Sequence, residues 1–434
     1  MIKPRVLILG AGFGGMFVAK RLASYATKGE IELTIVNRTN YFLFTPLLHE
    51  VATGGLNPRS VAEPLREVFK NTGVHVVQGT VDSIDLNKKT VGIKANEHVC
   101  EMDYDYLVIA TGAESNYYNI PGADKLTYPL KDLADAARIR NRVIDVFEHA
   151  MLMNDRAERT KELSFAVVGG GPTGVEVAAE LSEFISGMVK RYYHDTECLP
   201  EDAGSCHPEE PKVTLIHTGT ELLEQFKPSL RNAAALRLME NGVALQFSSV
   251  VTGVTKEGLT LADGSLIQAK TVIWAAGVKS IIPHFEGTAP TLYAGRLAVD
   301  EYFRLTGNDR AFAMGDAAAY IDPDHPNIGP KGPTPLPMLA QVAEGQAKTV
   351  ANNILSSIHE RKLKPFHYHS KGAMVSVGEW FAIGEIYSIN IAGRFTWWLW
   401  RTVYLFKFAS WQKRFRIAFE WTVQMFYPRD ITKL

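Results

Sequence analysis

A strand-like run that leads into a glycine-rich turn and then a helix occurs twice in this chain. In the first copy an apolar run over residues 5–9 precedes Gly-Ala-Gly-Phe-Gly-Gly at residues 10–15. In the second copy residues 165–168 precede Gly-Gly-Gly-Pro-Thr-Gly at residues 169–174. The copies lie 159 residues apart. A single long internal period of this kind predicts that one folding unit is present twice, and it constrains the architecture more than any other feature.

The segments that follow the two glycine-rich turns also correspond. A second strand-like run follows each helix, at residues 33–36 and 213–216, and each half closes on an apolar run that ends at Gly112 or Gly277. Strands that alternate with helices predict an α/β fold with parallel sheets. We therefore predict two Rossmann-like dinucleotide-binding domains.

The glycine spacing gives each turn a chemical purpose. The first glycine permits a tight turn, the second lets backbone approach a pyrophosphate, and the third lets helix and strand pack closely. Backbone N–H groups and the helix dipole then stabilise the anion. The second strands end at Asn37 and His217, where an acid that binds unphosphorylated ribose normally stands. The histidine does not repel a 2′-phosphate as a carboxylate would, so the choice between NADH and NADPH stays open.

A third segment points to a flavin. Residues 311–316 form an apolar run that ends in Gly315-Asp316, where a carboxylate can accept a hydrogen bond from a ribityl hydroxyl. In isolation Asp316 would be read as a helix cap or turn acid. After two dinucleotide cradles it favours a flavin, so we predict FAD in the first domain and NADH, or NADPH, in the second.

Charge and composition restrict the partners. The 434 residues carry 46 basic and 47 acidic side chains, a net charge of −1 that argues against a nucleic-acid binder. Residues 391–434 carry +6, however, and the rest carries −7. The three cysteines cannot form a disulfide framework and fit a reducing compartment. No signal-peptide pattern precedes the first strand, and no apolar stretch is long enough to span a bilayer, so we expect a protein that is soluble or lies on a membrane.

The basic tail is amphipathic and aromatic. On a helical wheel of residues 395–411, Phe395, Leu399, Val403 and Phe406 share one face, which we expect to pack on the protein. The opposite face, which we expect to meet a bilayer, contains Trp397, Trp400, Tyr404, Phe408 and Trp411. Residues 411–427 show a second pattern with phenylalanines on one side and charges on the other. We predict docking on an anionic membrane surface, with a homodimer interface or core helices as the alternatives.

These motifs in this order resemble the two-dinucleotide-binding-domain flavoproteins. Within that superfamily the chain resembles the type II NADH:quinone oxidoreductases, which are single-subunit, non-pumping respiratory dehydrogenases. The narrower resemblance rests on residues 44–54, 169–176, 340–343 and 371–378. It implies hydride transfer from NADH to FAD and transfer of two electrons to a membrane quinone, menaquinone or ubiquinone. It also implies a peripheral location on the cytoplasmic side of the inner (plasma) membrane.

The resemblance assigns roles to single residues. Glu176 would lie by the nicotinamide and flavin rings, Gln341 would donate to a quinone carbonyl, and Lys371 would lie near the flavin and Glu176. Met374 and Gln346 would line the quinone pocket, although the family motif has two consecutive glutamines and here Gly345 precedes Gln346. The alternative interpretations are purely structural: Glu176 as an acid that stabilises a helix N-terminus, Lys371 as a solvated lysine and Met374 as a core methionine.

The expected domains and sites can be stated in full. We expect an FAD domain at residues 1–118 and 281–345, an NAD(P)H domain at 119–280, and a quinone-site and membrane-anchoring region at 346–434. The expected FAD contacts are Gly10, Gly12, Phe13, Gly14, Gly15, Asn37, Arg38, Thr45, Pro46, Ala110, Thr111, Gly112, Gly315, Asp316, Ala340, Gln341 and Val342. The expected NADH contacts are Gly169, Gly171, Pro172, Thr173, Gly174, Glu176, His217, Ala276 and Gly277. No metal site is expected.

Three other functions compete with this interpretation. A sulfide:quinone oxidoreductase shares the fold but needs a redox cysteine pair beside the flavin, whereas Cys100 lies on a hairpin and Cys198 and Cys206 lie in an insertion at residues 191–211. A ferredoxin or rubredoxin reductase would not need an aromatic tail. A flavoprotein that only senses NADH would not need the quinone motif at Ala340-Gln341.

Overall fold

The computed structural model describes residues 3–95, 98–193, 211–323, 327–329, 332–387, 389–408 and 410–433. The chain forms two compact units. Unit 1 comprises Met1–Leu43, Ala62–Glu114 and Val278–His369; unit 2 comprises Phe44–Val61, Ser115–Gly277 and Ser370–Leu434. The segment that contains Cys198 and Cys206 lies outside the described residues.

Unit 1 is built on a parallel sheet with a helix entering directly after its central strand. Its helices are α1 (Phe13–Thr27), α3 (Leu65–Val68) and α9 (Ala340–Ile358). Its strands are β1 (Arg5–Leu9), β2 (Glu32–Asn37), β3 (Tyr41–Leu43), β4 (Ala62–Pro64), β5 (Val74–Gln78), β6 (Thr80–Asp85), β7 (Thr90–Ala95), β8 (His98–Asp103), β9 (Tyr106–Ile109), β10 (Ala113–Ser115, ending one residue into unit 2), β19 (Val278–Ser280), β20 (His284–Glu286), β21 (Leu292–Tyr293), β22 (Arg296–Ala298), β23 (Ala311–Ala313), β24 (Ala318–Ala319), β25 (Asn327–Gly329) and β26 (Gly332–Thr334).

Unit 2 repeats this plan and adds the C-terminal elements. Its helices are α2 (Leu48–Ala52), α4 (Ala123–Leu126), α5 (Leu133–Ala150), α6 (Arg156–Glu162), α7 (Pro172–Tyr192), α8 (Pro228–Glu240), α10 (Arg394–Lys407) and α11 (Trp411–Gln424). Its strands are β11 (Tyr128–Pro129), β12 (Ser164–Val168), β13 (Lys212–Ile216), β14 (Val243–Gln246), β15 (Val251–Thr255), β16 (Gly258–Leu261), β17 (Leu266–Gln268), β18 (Thr271–Trp274), β27 (Ala373–Ser376), β28 (Ala382–Ile386) and β29 (Ile389–Gly393).

The two parallel sheets have matching strand orders. The order is β23–β9–β1–β2–β5 in unit 1 and β11–β18–β12–β13–β14 in unit 2, so each glycine-rich turn follows the central strand. The central strands β1 and β12 are almost entirely buried, as expected where helices cover both faces of a parallel sheet. Antiparallel hairpins accompany each sheet, β6–β7–β8 in one unit and β15–β16–β17 in the other. The α/β fold with two Rossmann-like domains and a helical C-terminal region is confirmed.

The two units differ from the expected domain boundaries by three or four residues at 115–118 and 278–280, and by longer segments at 44–61 and 346–369. Residues 44–61 belong to unit 2 because α2 packs on α5 and α7. Residues 346–369 belong to unit 1 because α9 packs along α1, and the C-terminal helices belong to unit 2 with the β27–β28–β29 sheet. The segment 346–434 is therefore shared between both units rather than forming a region of its own.

Helix α10 presents the opposite face from the one we expected. Trp397, Trp400 and Phe408 are at most 2% exposed, whereas Phe395 and Phe406 are 74% and 65% exposed. The expectation that the tryptophan face meets the bilayer is therefore wrong for these three residues. Both faces are apolar, so a helical wheel cannot tell which one is inside. The larger rings bury more area and take the inner position.

Aromatic partners in unit 2 hold this inner face. Trp397 packs on Trp380 with ring centroids 4.8 Å apart, and Phe408 packs on Phe44 at 4.4 Å. Trp411 is exposed, as expected, while Tyr404 is half-buried. The outer surface of the tail includes many large exposed apolar residues, namely Phe395, Trp398, Val403, Phe406, Trp411, Phe415, Phe419, Met425, Phe426 and Tyr427. None of the described helices is both long and apolar enough to cross a membrane.

Candidate active site

The two glycine-rich turns have the same geometry. Gly10 adopts a φ of +99°, and a Cβ atom there would lie 2.2 Å from the Ala110 carbonyl oxygen. Gly169 adopts a φ of +121°, and a Cβ atom there would lie 2.4 Å from the Ala275 oxygen. Only glycine tolerates both the conformation and the contact. The turn backbone therefore sits directly against the neighbouring strand's end in both units.

The third and middle glycines of each turn have distinct functions. A Cβ atom at Gly15 or Gly174 would lie within 2 Å of the carbonyl oxygen of the first glycine, so these positions bring helix and turn together. At Gly12 and Gly171, by contrast, a Cβ atom would meet nothing within 4 Å. These residues are the N-caps of α1 and α7, whose first N–H groups point into that open space. The open space at each helix N-terminus fits a pyrophosphate.

The residues at the ends of the second strands support the turns in the same way. The Asn37 Oδ1 atom accepts a hydrogen bond from the Ala11 N–H at 2.9 Å, and the His217 Nδ1 atom accepts one from the Gly170 N–H at 3.2 Å. The Asn37 amide nitrogen donates to the Thr39 carbonyl. Asn37 and His217 therefore hold the turns in shape, a function that the spacing did not indicate. Arg38 follows Asn37 and is exposed.

Hydrogen bonds from two other segments of unit 1 hold the Gly315-Asp316 turn, which we predict to bind the flavin. The Gly315 N–H donates to the Gln346 Oε1 atom at 2.7 Å, and Gln346 is 2% exposed. The Ser280 hydroxyl donates to the Asp316 carbonyl oxygen, and the Thr111 hydroxyl donates to the Ile281 carbonyl at 2.6 Å. Gln346 is buried and supports the Gly315-Asp316 turn, and its expected place in the quinone pocket stays a prediction.

The other expected flavin contacts lie in different surroundings. The Phe13 ring meets the Phe42 ring edge-on at 5.1 Å, and Gly14 faces the Met314 side chain. Helix α9 begins at Ala340, where the Gln341 amide donates to the Tyr368 hydroxyl at 3.5 Å. Val342 is buried. Thr45 and Pro46 form a short 3₁₀ turn in unit 2 that opens α2.

Open space around Gly112 is a further feature of unit 1 that bears on whether FAD fits there. Gly112 has a φ of +76°, and a Cβ atom there would meet nothing within 4 Å. It follows β9, the strand beside β1, so this opening and that at Gly12 lie at the carboxyl ends of adjacent strands. Nucleotides bind at this edge of an open parallel sheet. The residues present therefore fit FAD.

Glu176 lies in the first turns of α7, directly after the second cradle. Its carboxylate Oε2 atom is 3.6 Å from the His49 Nδ1 atom, and the Ser376 N–H donates to the carboxylate. Burial raises the pKa of Glu176 well above its usual value, and burial lowers the pKa of His49 to about 4. Burial therefore favours the protonated form of the Glu176 carboxyl and the neutral form of the His49 imidazole.

A second buried carboxyl lies beside this pair. The Glu50 Oε2 atom accepts a hydrogen bond from the Trp421 indole at 2.6 Å. Burial raises the pKa of Glu50 to about 7 despite the attraction of Arg401. The Arg401 guanidinium lies 3.7 Å from the centre of the Trp397 ring and 4.8 Å from that of Trp421. The tail helices thus contribute directly to the surroundings of Glu50.

Arg429 ties the end of the chain to α7. Its Nη2 atom lies 2.6 Å from the Glu180 Oε2 atom and 3.6 Å from Glu183, and its side chain is 12% exposed. The positive charge holds the pKa of Glu180 below its usual value although burial opposes this. Burial raises the pKa of Glu183 to about 8. We name the set His49, Glu50, Glu176, Glu180, Glu183, Arg401 and Arg429 the buried charge cluster.

The sequence interpretation assigned no function to most of this cluster. The spacing of Glu176, Glu180 and Glu183 places three acids on one face of α7, a signal that could have been noticed. No local pattern marks His49 or Arg429. Their importance arises because α2, α7 and the last residues of the chain meet in unit 2.

Lys371 and Met374 belong to the same unit as Glu176. Lys371 is exposed and precedes β27, which packs on α7. Met374 is half-buried, and its side chain lies over Gly384, where a Cβ atom would be 2.8 Å from the Met374 Cγ atom. Pro172, Thr173, Ala276 and Gly277 surround the second cradle at the start of α7 and the end of β18.

Comparison with known proteins identifies the family. Residues 4–347 match the pyridine nucleotide-disulphide oxidoreductase family and residues 370–430 match the NDH2 C-terminal domain. A type II NADH:quinone oxidoreductase of Mycobacterium tuberculosis is 30% identical over 97% of this chain and 87% of its own length. An internal alternative NAD(P)H-ubiquinone oxidoreductase of Arabidopsis thaliana is 29% identical over 100% of this chain and 86% of its own length. The structure of NDH2 from Plasmodium falciparum in complex with NADH matches with a TM-score of 0.88, at 25% identity over 100% of both chains. The chain therefore belongs to the type II NADH:quinone oxidoreductase family.

Proposed function

We propose that the chain oxidises NADH and reduces a membrane quinone by means of FAD, without pumping protons. One observation carries the proposal: α7 begins at the second nucleotide cradle and, within its first turns, buries Glu176 3.6 Å from His49, and this burial raises the pKa of the Glu176 carboxyl. Quinone reduction consumes two protons, so a buried proton donor suits this reaction. Membership of the family favours the same activity over sulfide oxidation or NADH sensing.

The residues of unit 1 would hold FAD by its phosphates and ribityl chain, through the Gly10–Gly15 turn and the Gly315-Asp316 turn. When bound, FAD supplies the hydride-accepting and two-electron chemistry that no side chain of the protein can provide. Burial favours the protonated form of the Glu176 carboxyl, which suits this group to hold a proton. Gln341 would orient a quinone carbonyl through its amide, and Lys371 and Met374 are proposed as further quinone-site residues.

The activity is tested by separating the two half-reactions. The purified flavoprotein is reduced with NADH, and flavin reoxidation by short-chain menaquinone and ubiquinone analogues is followed by stopped flow. We expect reoxidation fast enough to account for steady-state turnover with at least one quinone. Reduction by NADH without reoxidation by either quinone would instead support a sensor, and the faster analogue identifies the quinone class.

Members of this family use quinone and associate with the membrane. We propose that this chain docks on an anionic bilayer through the exposed surface of its tail, on the cytoplasmic side of the plasma membrane. Phe395, Phe406 and Phe415 are all more than 60% exposed and suit insertion at the headgroup level. The +6 charge of residues 391–434 adds roughly 1 kcal/mol of attraction per cation near anionic lipid.

Sedimentation with vesicles tests the docking surface. Phe395→Ser/Phe406→Ser should bind anionic vesicles more weakly than the unaltered chain, because it loses exposed apolar contact without disturbing a buried residue. Leu152→Ser is the control, since Leu152 is also an exposed apolar residue (81%) but follows α5 and is not part of the tail. Equal binding by both variants would contradict the assignment. A homodimer through the same surface stays a prediction, which light scattering in detergent can test.

A further inference from the structure

The nucleotide site of unit 2 lacks an acid at the position that usually binds the adenosine ribose. His217 ends β13 there, and its Nδ1 atom accepts the Gly170 N–H. An acceptor nitrogen carries no proton, so in the neutral ring the proton is on Nε2. Nε2 is buried and makes no hydrogen bond within the described part of the chain. The Nδ1 atom of the ring is therefore hydrogen-bonded to the turn, whereas the Nε2–H group has no hydrogen-bond acceptor among the described residues.

The Nε2 edge of the ring points to a carboxylate from later in the chain. The Glu224 Oε1 atom is 3.8 Å from the His217 Nε2 atom. Gly219 lies against both groups: a Cβ atom there would be 2.5 Å from the Glu224 oxygen and 2.7 Å from the His217 nitrogen. The approach of the two side chains consequently requires glycine between them. The Glu224 side chain is 69% exposed, so its carboxylate faces solvent at the end of β13.

The segment that carries Glu224 is held in place by one arginine. Arg231 on α8 donates through Nη2 to the Glu224 carbonyl and through Nε to the Phe226 carbonyl, both at 2.5 Å. Its Nη1 atom pairs with Glu221, also at 2.5 Å. Arg231 thus fixes the backbone of this segment. Its guanidinium is already paired with Glu221, so we do not expect it to bind the nucleotide.

We propose that Glu224 is the residue that makes this enzyme prefer NADH to NADPH. Its carboxylate takes the place of the missing strand-end acid: it accepts hydrogen bonds from the ribose hydroxyls of NADH and repels the 2′-phosphate of NADPH. His217 is a positioning residue: one nitrogen supports the Gly170 turn, and the other lies 3.8 Å from the Glu224 carboxylate, an electrostatic contact rather than a hydrogen bond. The inference rests on the proposed function only in taking the unit 2 cradle as the NADH site.

The test compares the ratio of kcat/KM for NADH to kcat/KM for NADPH in the full-length flavoprotein. Glu224→Gln removes the negative charge at constant size, so the ratio should fall by about tenfold. Glu224→Arg should lower it further by raising kcat/KM for NADPH itself. Glu240→Gln, which removes an exposed acid at the end of α8, is the matched control and should leave the ratio unchanged.

A third variant separates the positioning residue from the turn. His217→Asn keeps an acceptor for the Gly170 N–H, as Asn37 does for Ala11 in unit 1, but it lacks the donor directed to Glu224. We expect a fall in the ratio smaller than that of Glu224→Gln. An unchanged ratio in His217→Asn would show that Glu224 needs no positioning and would overturn that part of the proposal.

Calorimetric binding of NADH and NADPH provides a readout that does not depend on turnover. If the unaltered protein binds both nucleotides equally, or if both Glu224 variants keep its ratio within about twofold, the specificity assignment is overturned. Absence of quinone reduction with either nucleotide would overturn the proposed function instead, while the binding ratio would still decide the role of Glu224.

Discussion

The replacement of Arg429 by glutamine should strongly destabilise unit 2. In the structure the guanidinium lies 2.6 Å from Glu180, and the side chains of the two residues are only 12% and 7% exposed. Its removal leaves a buried carboxylate without its nearest cation. Breaking a buried ion pair from one side costs about 3–5 kcal/mol. For a unit of this size each kcal/mol lowers the melting temperature by about 2–4 °C, so we expect a fall of at least about 6 °C.

The pH dependence gives a second, independent signature. In the unaltered protein the pKa of Glu180 is lowered, so its pairing stabilises the fold above the carboxyl's unfolded pKa and that stability is lost as the pH falls. Without Arg429 burial dominates and raises the folded pKa. The variant then loses stability as the pH rises above the unfolded value. The difference in melting temperature between the two proteins should therefore be larger at about pH 8 than at about pH 5.

Differential scanning fluorimetry of the flavin-loaded proteins measures both effects. Lys433→Gln is the matched control: it also removes a cation near the chain end, but its pair with Asp145 is about half-exposed and should be worth less than about 1 kcal/mol. Glu180→Gln/Arg429→Gln should recover part of the loss, because no single charge is left buried. If Arg429→Gln melts within about 2 °C of Lys433→Gln, the buried pair with Glu180 does not stabilise unit 2.

Three further predictions follow from the site. Glu176→Gln cannot release a proton, so quinone reduction should slow by about 10²-fold while the flavin is retained. The loss of rate as the pH rises through the raised Glu176 pKa should also disappear. Unchanged stopped-flow rates across the pH range would exclude this function of Glu176. Gln346→Leu leaves the Gly315 N–H without its acceptor, at a cost of about 1–3 kcal/mol, and should reduce the FAD content of the purified protein; full FAD content would contradict it. Trp421→Phe removes a hydrogen bond that lowers the pKa of Glu50 from a still higher value, so the melting temperature should fall more at about pH 8 than at about pH 6; an equal fall at both would count against this contact.

The duplicated plan and the cradles could be read from the sequence because they depend on local geometry. Gly10 and Gly169 are required by a positive φ and by contact with the next strand, and both constraints act over a few residues and leave a visible motif. The buried runs before them could be recognised as central strands because both faces of a parallel sheet are covered. The order of these motifs along the chain carries the resemblance to the superfamily, and residues 44–54, 169–176, 340–343 and 371–378 carry the resemblance to the family.

Which face of α10 is buried, and which residues form the buried charge cluster, could be learned only from the tertiary structure. Helix α10 has two apolar faces, and only the presence of Trp380 and Phe44 decides which one is inside. Arg429 meets the backbone of Glu180 across 249 positions of sequence, and Trp421 meets Glu50 across 371. Such contacts have no periodicity that a single sequence could show. The sequence by itself determined the two glycine-rich turns that we predict to bind nucleotides, because their backbone geometry requires glycine at fixed positions. Tertiary packing decided which carboxyls have raised and which have lowered pKa values, because burial and the nearest charges set the direction of the shift, and both depend on distant parts of the chain.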